Sequence, residues 1–337
     1  MTTDEVAPAG DVDSGRADVR AALHRLGAVG AFGDDGEDPT TGLLAAVRLV
    51  REVAAVSLAT AFSAWSQRMV VEYLRAARLP DDGLSAALRT AEVTGATALA
   101  PAIADLAGTG TIPVTATRDG AGWRLTGTVA WASNLFDDAV VVAPARTSDE
   151  GRLVVLFRRT DPGVTPEGPY DLLGLNGTGT GGLHLDGVAV GPDRVLSDDL
   201  AAFLGTCRPA MLLMQTALAL GLADAALAAV DTHLVPGALL RRDAQDLSDQ
   251  RDDVARRTED LAGDRVGLGP GDLARLRLAA MDVAAEAVRL ECSVAGGEGY
   301  RAGSDTARRV REAAFLPVQA PTVAQLRREI TAAGVRQ

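Results

Sequence analysis

The chain contains no lysine; all 33 of its basic residues are arginine. That absence excludes a lysine Schiff base and the phosphate-binding lysine of a P-loop. Cysteine is nearly as scarce. Cys207 and Cys292 cannot build a disulfide framework, and each sits in an apolar helical pattern where a buried free thiol is expected. The three histidines, His24, His184 and His233, fall in separate segments without metal-ligand spacing, so no metal site is assigned. A net charge of −12 argues against general nucleic-acid binding, which needs a basic face. The acidic start, MTTDEVAPAGDVDSG, has no apolar core of a signal peptide, and the longest apolar run, residues 209–223, is short for a membrane span. The expectation is a cytoplasmic protein that acts on a small molecule, with no nucleic-acid or membrane partner.

What is present is a large apolar fraction. With 337 residues, 47% hydrophobic and 23% charged, the chain can bury a sizeable core divided into two or three units. Residues 1–15 read as a disordered lead. Residues 16–95 read as helical, with one long Ala/Leu/Val-rich stretch over 42–77 that is broken at Pro80, Asp81, Asp82 and Gly83. From 96 to 196 glycines and prolines come at turn spacing between short β-branched runs, which predicts a small antiparallel barrel or sandwich. Residues 197–337 are helical again, with long amphipathic segments that suit a bundle.

Three stretches stand out chemically. The first is GWRLTGTVAWASN, residues 122–134, read as two short strands with a turn at Thr126-Gly127. It ends in Trp131, Ala132, Ser133 and Asn134. A flat apolar wall beside a hydroxyl and an amide is what a planar heteroaromatic ligand needs, although a core indole and an exit turn would give the same letters. The second is the glycine-rich run over 174–182. It leads into a strand, not a helix, so it is no dinucleotide fingerprint. Its backbone N–H groups and the Thr178 and Thr180 hydroxyls can still meet a ligand, and a plain turn fits equally. The third is Gly296-Gly297-Glu298-Gly299-Tyr300, more glycine than one helix cap needs. The pairs Asp81-Asp82, Asp137-Asp138 and Asp252-Asp253 are adjacent in sequence and expected to be solvated.

Together the order of helices, small sheet and helices, and these motifs, resemble the acyl-CoA dehydrogenase superfamily from about residue 40 onward. The resemblance implies an α+β fold, mainly α, with a helical N-terminal domain, a small antiparallel β-barrel and a C-terminal four-helix bundle, and FAD between barrel and bundle. Trp131-Ala132-Ser133-Asn134 resembles the family's Trp-x-(Ser/Thr)-Asn, whose indole lies beside the flavin and whose hydroxyl bonds to it. The run from Leu173 to Gly181 and the strand from Asp186 to Val190 are similar to the family's glycine turn and following strand. That makes Thr178 and Gly179 cofactor-binding candidates. Gly296, Gly297, Gly299 and Tyr300 resemble the bundle turn that meets the adenine-diphosphate end across a subunit interface. Arg311 to Pro317 resembles the segment before the catalytic loop. A homodimer or homotetramer is implied, with a paralogous partner subunit as the alternative.

The departures are equally specific. Where many family members carry Glu-Gly-Thr, with the glutamate as base, this chain has Ala320-Pro321-Thr322. Where others place the base on the first bundle helix, it has Cys207 beside Arg208. The Thr-Glu-Pro…Gly-Ser-Asp loop is reduced to Leu99-Ala100-Pro101 and Gly108-Thr109-Gly110. No Arg-x-x-Phe-Gly motif is visible, and Arg241 and Arg242 are the nearest stand-ins. Glu298 and Glu312 are the acids nearest the relevant motifs and so the candidate replacement bases. Three functions follow. One is an FAD-dependent dehydrogenase acting on the CH–CH group of an acyl thioester, such as an acyl-CoA. A second is a flavin monooxygenase on the same fold, and a third is a non-catalytic assembly partner.

Overall fold

The computed structural model describes residues 8–34, 36–77, 83–234, 239–264, 268–269 and 271–334. The predicted break at Pro80, Asp81 and Asp82 lies outside them.

Helix α1 (Ala9–Asp13) falls inside the segment expected to be a disordered lead. It is ordered because two of its residues have long-range partners: Val12 is fully buried, and Asp13 accepts from Arg311. Composition registered only a short acidic run. Next come α2 (Arg20–Ala28), α3 (Pro39–Ala54), α4 (Leu58–Ala77) and α5 (Leu84–Arg89). Asp38 caps α3 by accepting from the N–H groups of Thr40 and Thr41, with Pro39 at the first helical position. The single stretch predicted over 42–77 is thus two helices. At the break Ser57 Oγ accepts from the Thr60 N–H and the Glu312 carboxylate from the Leu58 N–H, so the start of α4 is satisfied by side chains.

The middle of the chain gives β1 (Gly95–Thr97), α6 (Ala100–Leu106), β2 (Thr115–Asp119), β3 (Gly122–Ala132), β4 (Val140–Thr147), β5 (Arg152–Arg158), β6 (Val164–Glu167), β7 (Gly181–Val190) and β8 (Val195–Ser197). The strand order is β6-β7-β3-β2-β4-β5-β8, with β1 also beside β4. Pairing is antiparallel except where β1 and β2 run parallel to the two ends of β4. Alternation divides the strand residues between two cores. Leu125, Val141, Val155, Phe157 and Leu185 face the sheet's own interior, while Val140, Val142, Val154 and Leu156 join the helical core.

The two short strands expected at 122–134 are one, β3. Gly127 supplies a bulge rather than a turn: its φ is +137°, the register against β7 slips beside it, and a Cβ there would lie 2.5 Å from the Pro113 carbonyl oxygen.

The last part is α7 (Leu200–His233), α8 (Arg241–Gly263), α9 (Asp272–Gly299), α10 (Asp305–Phe315) and α11 (Val323–Gly334). Helices α3, α4, α8 and α9 all pack on α7. By length and composition α7 could cross a membrane, which the shorter run read from sequence did not suggest; here it is mostly buried as a core helix. Helix α10 carries two buried ion pairs, and the one from Arg309 locks it to α9. Arg309 forks onto Glu291 of α9, and Arg308 grips Glu312 one turn along. That lock fixes which face of α10 meets the site.

Candidate functional site

A cavity of about 640 Å³ opens where the end of β3, the 172–175 loop, α4, α6 and the end of α10 converge. Its size suits a drug-sized or cofactor-sized ligand.

The sheet side is built from Trp131, Ala132, Ser133 and Thr180. Trp131 is 60% exposed, and Tyr170 meets its ring edge-on at 4.9 Å. The Tyr170 hydroxyl donates to the Ala130 carbonyl, so the tyrosine is fixed to the same strand that carries the indole. Three hydroxyls form a chain: Ser133 to Thr180 at 2.6 Å, Thr180 to Thr178 at 2.7 Å, and Thr178 to the Leu175 carbonyl at 2.8 Å. A carbonyl only accepts, so Thr178 donates to it, Thr180 donates to Thr178, and Ser133 donates to Thr180. Every hydrogen in the chain is used. Ser133 Oγ therefore faces the cavity with lone pairs.

Asn134 is placed differently from its expected role. It is fully buried, has φ +63°, and its amide donates to the carbonyls of Ser63 and Gly95. It joins β3 to α4 and β1 and does not line the cavity. Gly179 (φ +59°) is likewise structural, since a Cβ there would lie 2.8 Å from the Phe136 ring.

The helical side is more apolar. Phe62 and Trp65 of α4 stack at 5.4 Å, and Phe315 of α10 meets Phe62 edge-on at 4.7 Å. Leu99, Ala100 and Ile103 add aliphatic surface, and Tyr73 bonds to Thr97 at 3.1 Å. The 319–321 segment closes this side and brings Ala320 into the wall. Three bonds hold it. Gln215 of α7 donates to the Ala320 carbonyl at 3.0 Å, and Arg277 of α9 donates to the carbonyls of Pro321 at 2.6 Å and Gln319 at 3.0 Å. Arg277 is almost fully buried, and burial first, then the nearby Arg208, push its guanidinium down to about 9.

No protein-family model matches the sequence, and no curated protein does. Solved structures do. A glutaryl-coenzyme A dehydrogenase in its glutaryl-CoA complex superposes with a TM-score of 0.89 at 20% identity, covering 99% of this chain and 92% of that one. Butyryl-CoA dehydrogenase from Megasphaera elsdenii gives 0.83 at 19% identity, over 97% and 93%. A glutaryl-CoA dehydrogenase from Mycobacterium smegmatis in complex with FADH2 gives 0.80 at 20% identity, over 94% and 85%. This chain has the acyl-CoA dehydrogenase fold.

Within that fold the remaining candidates are scattered. Glu298 is exposed and pairs with Arg301 on the surface. Glu312 is buried but fully engaged, bound by Arg308 and the Leu58 N–H. Burial pushes its carboxyl up, and Arg308 opposes that shift. Neither acid lines the cavity, and among the described lining residues there is no Asp or Glu. Cys207 is a buried thiol pushed up to about 12 by burial, so it is protonated at neutral pH. Gly296 and Gly297 lie in open surface at the end of α9, with Gly296 at φ +56° breaking the helix. Gly299 packs against Thr306, and Arg241 and Arg242 are exposed at the start of α8. None of these five lines the cavity.

Sequence reasoning missed the α4 wall. Phe62, Trp65 and Tyr73 read as ordinary core at helical spacing. The usable signal was concentration: aromatics make up 4% of the chain, yet these three fall in one helix.

Proposed function

We propose that the chain is an FAD-dependent oxidoreductase of acyl-CoA dehydrogenase type that acts on an acyl thioester. One observation carries the reading. An exposed indole, a hydroxyl chain and the 319–321 segment, far apart in sequence, wall a single cavity. The donor set fits a flat heteroaromatic ring. Trp131 offers a broad apolar face beside Tyr170, and Ser133 offers an acceptor for a ring N–H. When bound, FAD supplies the hydride acceptor. The FADH2 and glutaryl-CoA held by two solved proteins of this fold lend support.

The chain's own residues bind and exclude water. The wall of Phe62, Trp65, Leu99, Ile103 and Phe315 surrounds an acyl chain with apolar surface. Arg277 and Gln215 hold the 319–321 segment against it. No lining residue accepts a proton readily: Ala320 has no basic atom, and burial raises the Tyr73 hydroxyl well above its ordinary range. This carboxylate-free wall favours a second reading, flavin-dependent oxygen chemistry, which needs no base at position 320.

The open turn at Gly296-Gly297, beside the exposed Tyr300, is suited to a neighbouring subunit. A homodimer, a homotetramer or a pairing with a paralogous chain would use it. The reading assigns a cytoplasmic location.

The test begins with the visible spectrum of the purified protein before and after FAD is added and the excess removed. A retained, shifted flavin spectrum is expected. Anaerobic bleaching by an acyl-CoA then supports dehydrogenation, while oxygen uptake with a hydroxylated product supports the second reading. A colourless protein that ignores FAD overturns both and leaves the assembly-partner function.

A further inference from the structure

We propose that Asp13 and Asn176 are positioning residues for the flavin edge, acting through Leu175 on the direction of the Ser133 hydroxyl chain. The inference rests on the FAD reading above and gives the N-terminal segment a part in it. Neither residue lines the cavity, whereas Leu172, Gly174, Leu175 and Arg311 do.

Residues 8–19 are laced to the turn that carries Leu172 and Leu175. The Asn176 amide is the central knot. Its Oδ1 accepts from the Leu172 N–H at 2.8 Å, and its Nδ2 donates to the Leu172 carbonyl at 3.0 Å and the Asp13 carbonyl at 2.8 Å. Val19 donates its N–H to the Gly177 carbonyl at 3.1 Å. The fit has no slack, since a Cβ on Gly177 would lie 2.3 Å from the Ala17 carbonyl oxygen. On its other side the Asp13 carboxylate, in a residue only 6% exposed, accepts from Nε and Nη2 of Arg311 on α10. One N-terminal segment thus joins two parts of the cavity wall that are far apart in sequence.

The consequence lies at Leu175. Its backbone is left-handed, with φ +63°, a conformation that leucine keeps only where its neighbours hold it. Its carbonyl takes the last hydrogen of the chain from Ser133 through Thr180 and Thr178. If that carbonyl turns away, Thr178 loses its acceptor and is free to donate back to Thr180. The order of donation then reverses, and Ser133 turns a hydrogen instead of lone pairs toward the cavity. Whatever fixes Leu175 therefore fixes whether Ser133 accepts from a ring N–H.

The experiment compares the full chain with Asp13→Asn, which removes the charge that holds Arg311, and Asn176→Leu, which unties the knot. Neither changes a side chain in the cavity wall. Hydrogen exchange of the protein without FAD should quicken together over residues 11–19 and 172–178 and stay unchanged in α9. In spectral titration FAD affinity should fall about tenfold, the scale of one hydrogen bond to the ring, and the shift of the bound-flavin absorption should shrink. Ser133→Ala should reproduce that smaller shift, and combining it with Asn176→Leu should change nothing further, because both act at one hydroxyl. Arg51→Met breaks a pair with Asp224 between α3 and α7, outside the cavity wall, and controls for lost stability alone. It should keep the full shift. Wild-type affinity and shift in Asp13→Asn or in Asn176→Leu overturn the inference, as do additive effects of Ser133→Ala and Asn176→Leu. If the wild-type chain ignores FAD, the FAD reading fails and takes this inference with it.

Discussion

In the hydroxyl chain on the sheet side of the cavity every hydrogen has an acceptor, from Ser133 through Thr180 and Thr178 to the Leu175 carbonyl. On the helical side the side-chain N–H groups of Trp65 and Gln319 are buried and have no acceptor among the described residues. The difference follows from how each wall is assembled. The sheet wall comes from β3 and the 175–180 turn that leads into its pairing partner β7, so its polar groups meet at pairing distance. The helical wall joins α4 to a segment some 250 residues later, and nothing local completes it.

The largest expected effect tests the chemistry that passes between the walls. Ala320→Glu restores a carboxylate at the cavity and should speed anaerobic flavin bleaching by an acyl-CoA about 10²–10⁴-fold in stopped-flow traces. Unchanged bleaching would remove dehydrogenation and leave oxygen chemistry. Next in size is Asn134→Ala, which breaks the joint between the two walls. It removes two donations to buried carbonyls and leaves alanine in a left-handed conformation. A loss of about 2–4 kcal/mol is expected in urea unfolding.

Trp131→Ala tests the sheet wall alone. The indole is largely exposed, so the melting temperature should barely move while FAD affinity in a spectral titration falls about tenfold. An unchanged affinity would mean the ring is not held by this wall.

A further effect depends on pH and belongs to Cys207 of α7, the helix packed on α4. The Cys207 thiol is raised from its ordinary 9.0 to about 12 by burial. A raised folded value means the folded state keeps the proton longer than the unfolded chain does. The stabilising contribution is therefore complete below about pH 9 and is lost as pH climbs toward 12. Wild type should lose unfolding stability across that window more than Cys207→Ala does, and Cys207 should resist alkylation in the native protein at pH 8.

Much of the site was legible because its parts are short contiguous motifs. Trp131 with Ser133, the loop containing Leu173 and Leu175, and Ala320 could each be named from their neighbours in the chain. Glu312 shows where that approach stops. It lies within the motif that contains Arg311 and Phe315, but on a helix those two, four apart, share a face, and Glu312 turns some 100° away from Arg311 toward Arg308 and α4. Asn134 shows the same limit in a strand end. Its letter suits a ligand amide, and only the left-handed backbone and the adjacency of Ser63 and Gly95 make it a clamp. The second helix break, at Ser57, was hidden because apolar periodicity continues across it.

By itself the sequence determined the succession of helices, strands and helices, since period and turn residues are local properties, and it determined the chemistry that is missing, since no packing can place a carboxylate at Ala320 or supply a lysine. Only the tertiary structure decided which side chains share the cavity, and that the glycine turn at 296–299 and Arg241-Arg242 stand apart from it. The reason is that a wall is made where α4, β3 and the 319–321 segment touch. Those contacts are fixed by buried partners such as Arg309–Glu291 and the Glu312 carboxylate that accepts from the Leu58 N–H, which no local pattern specifies.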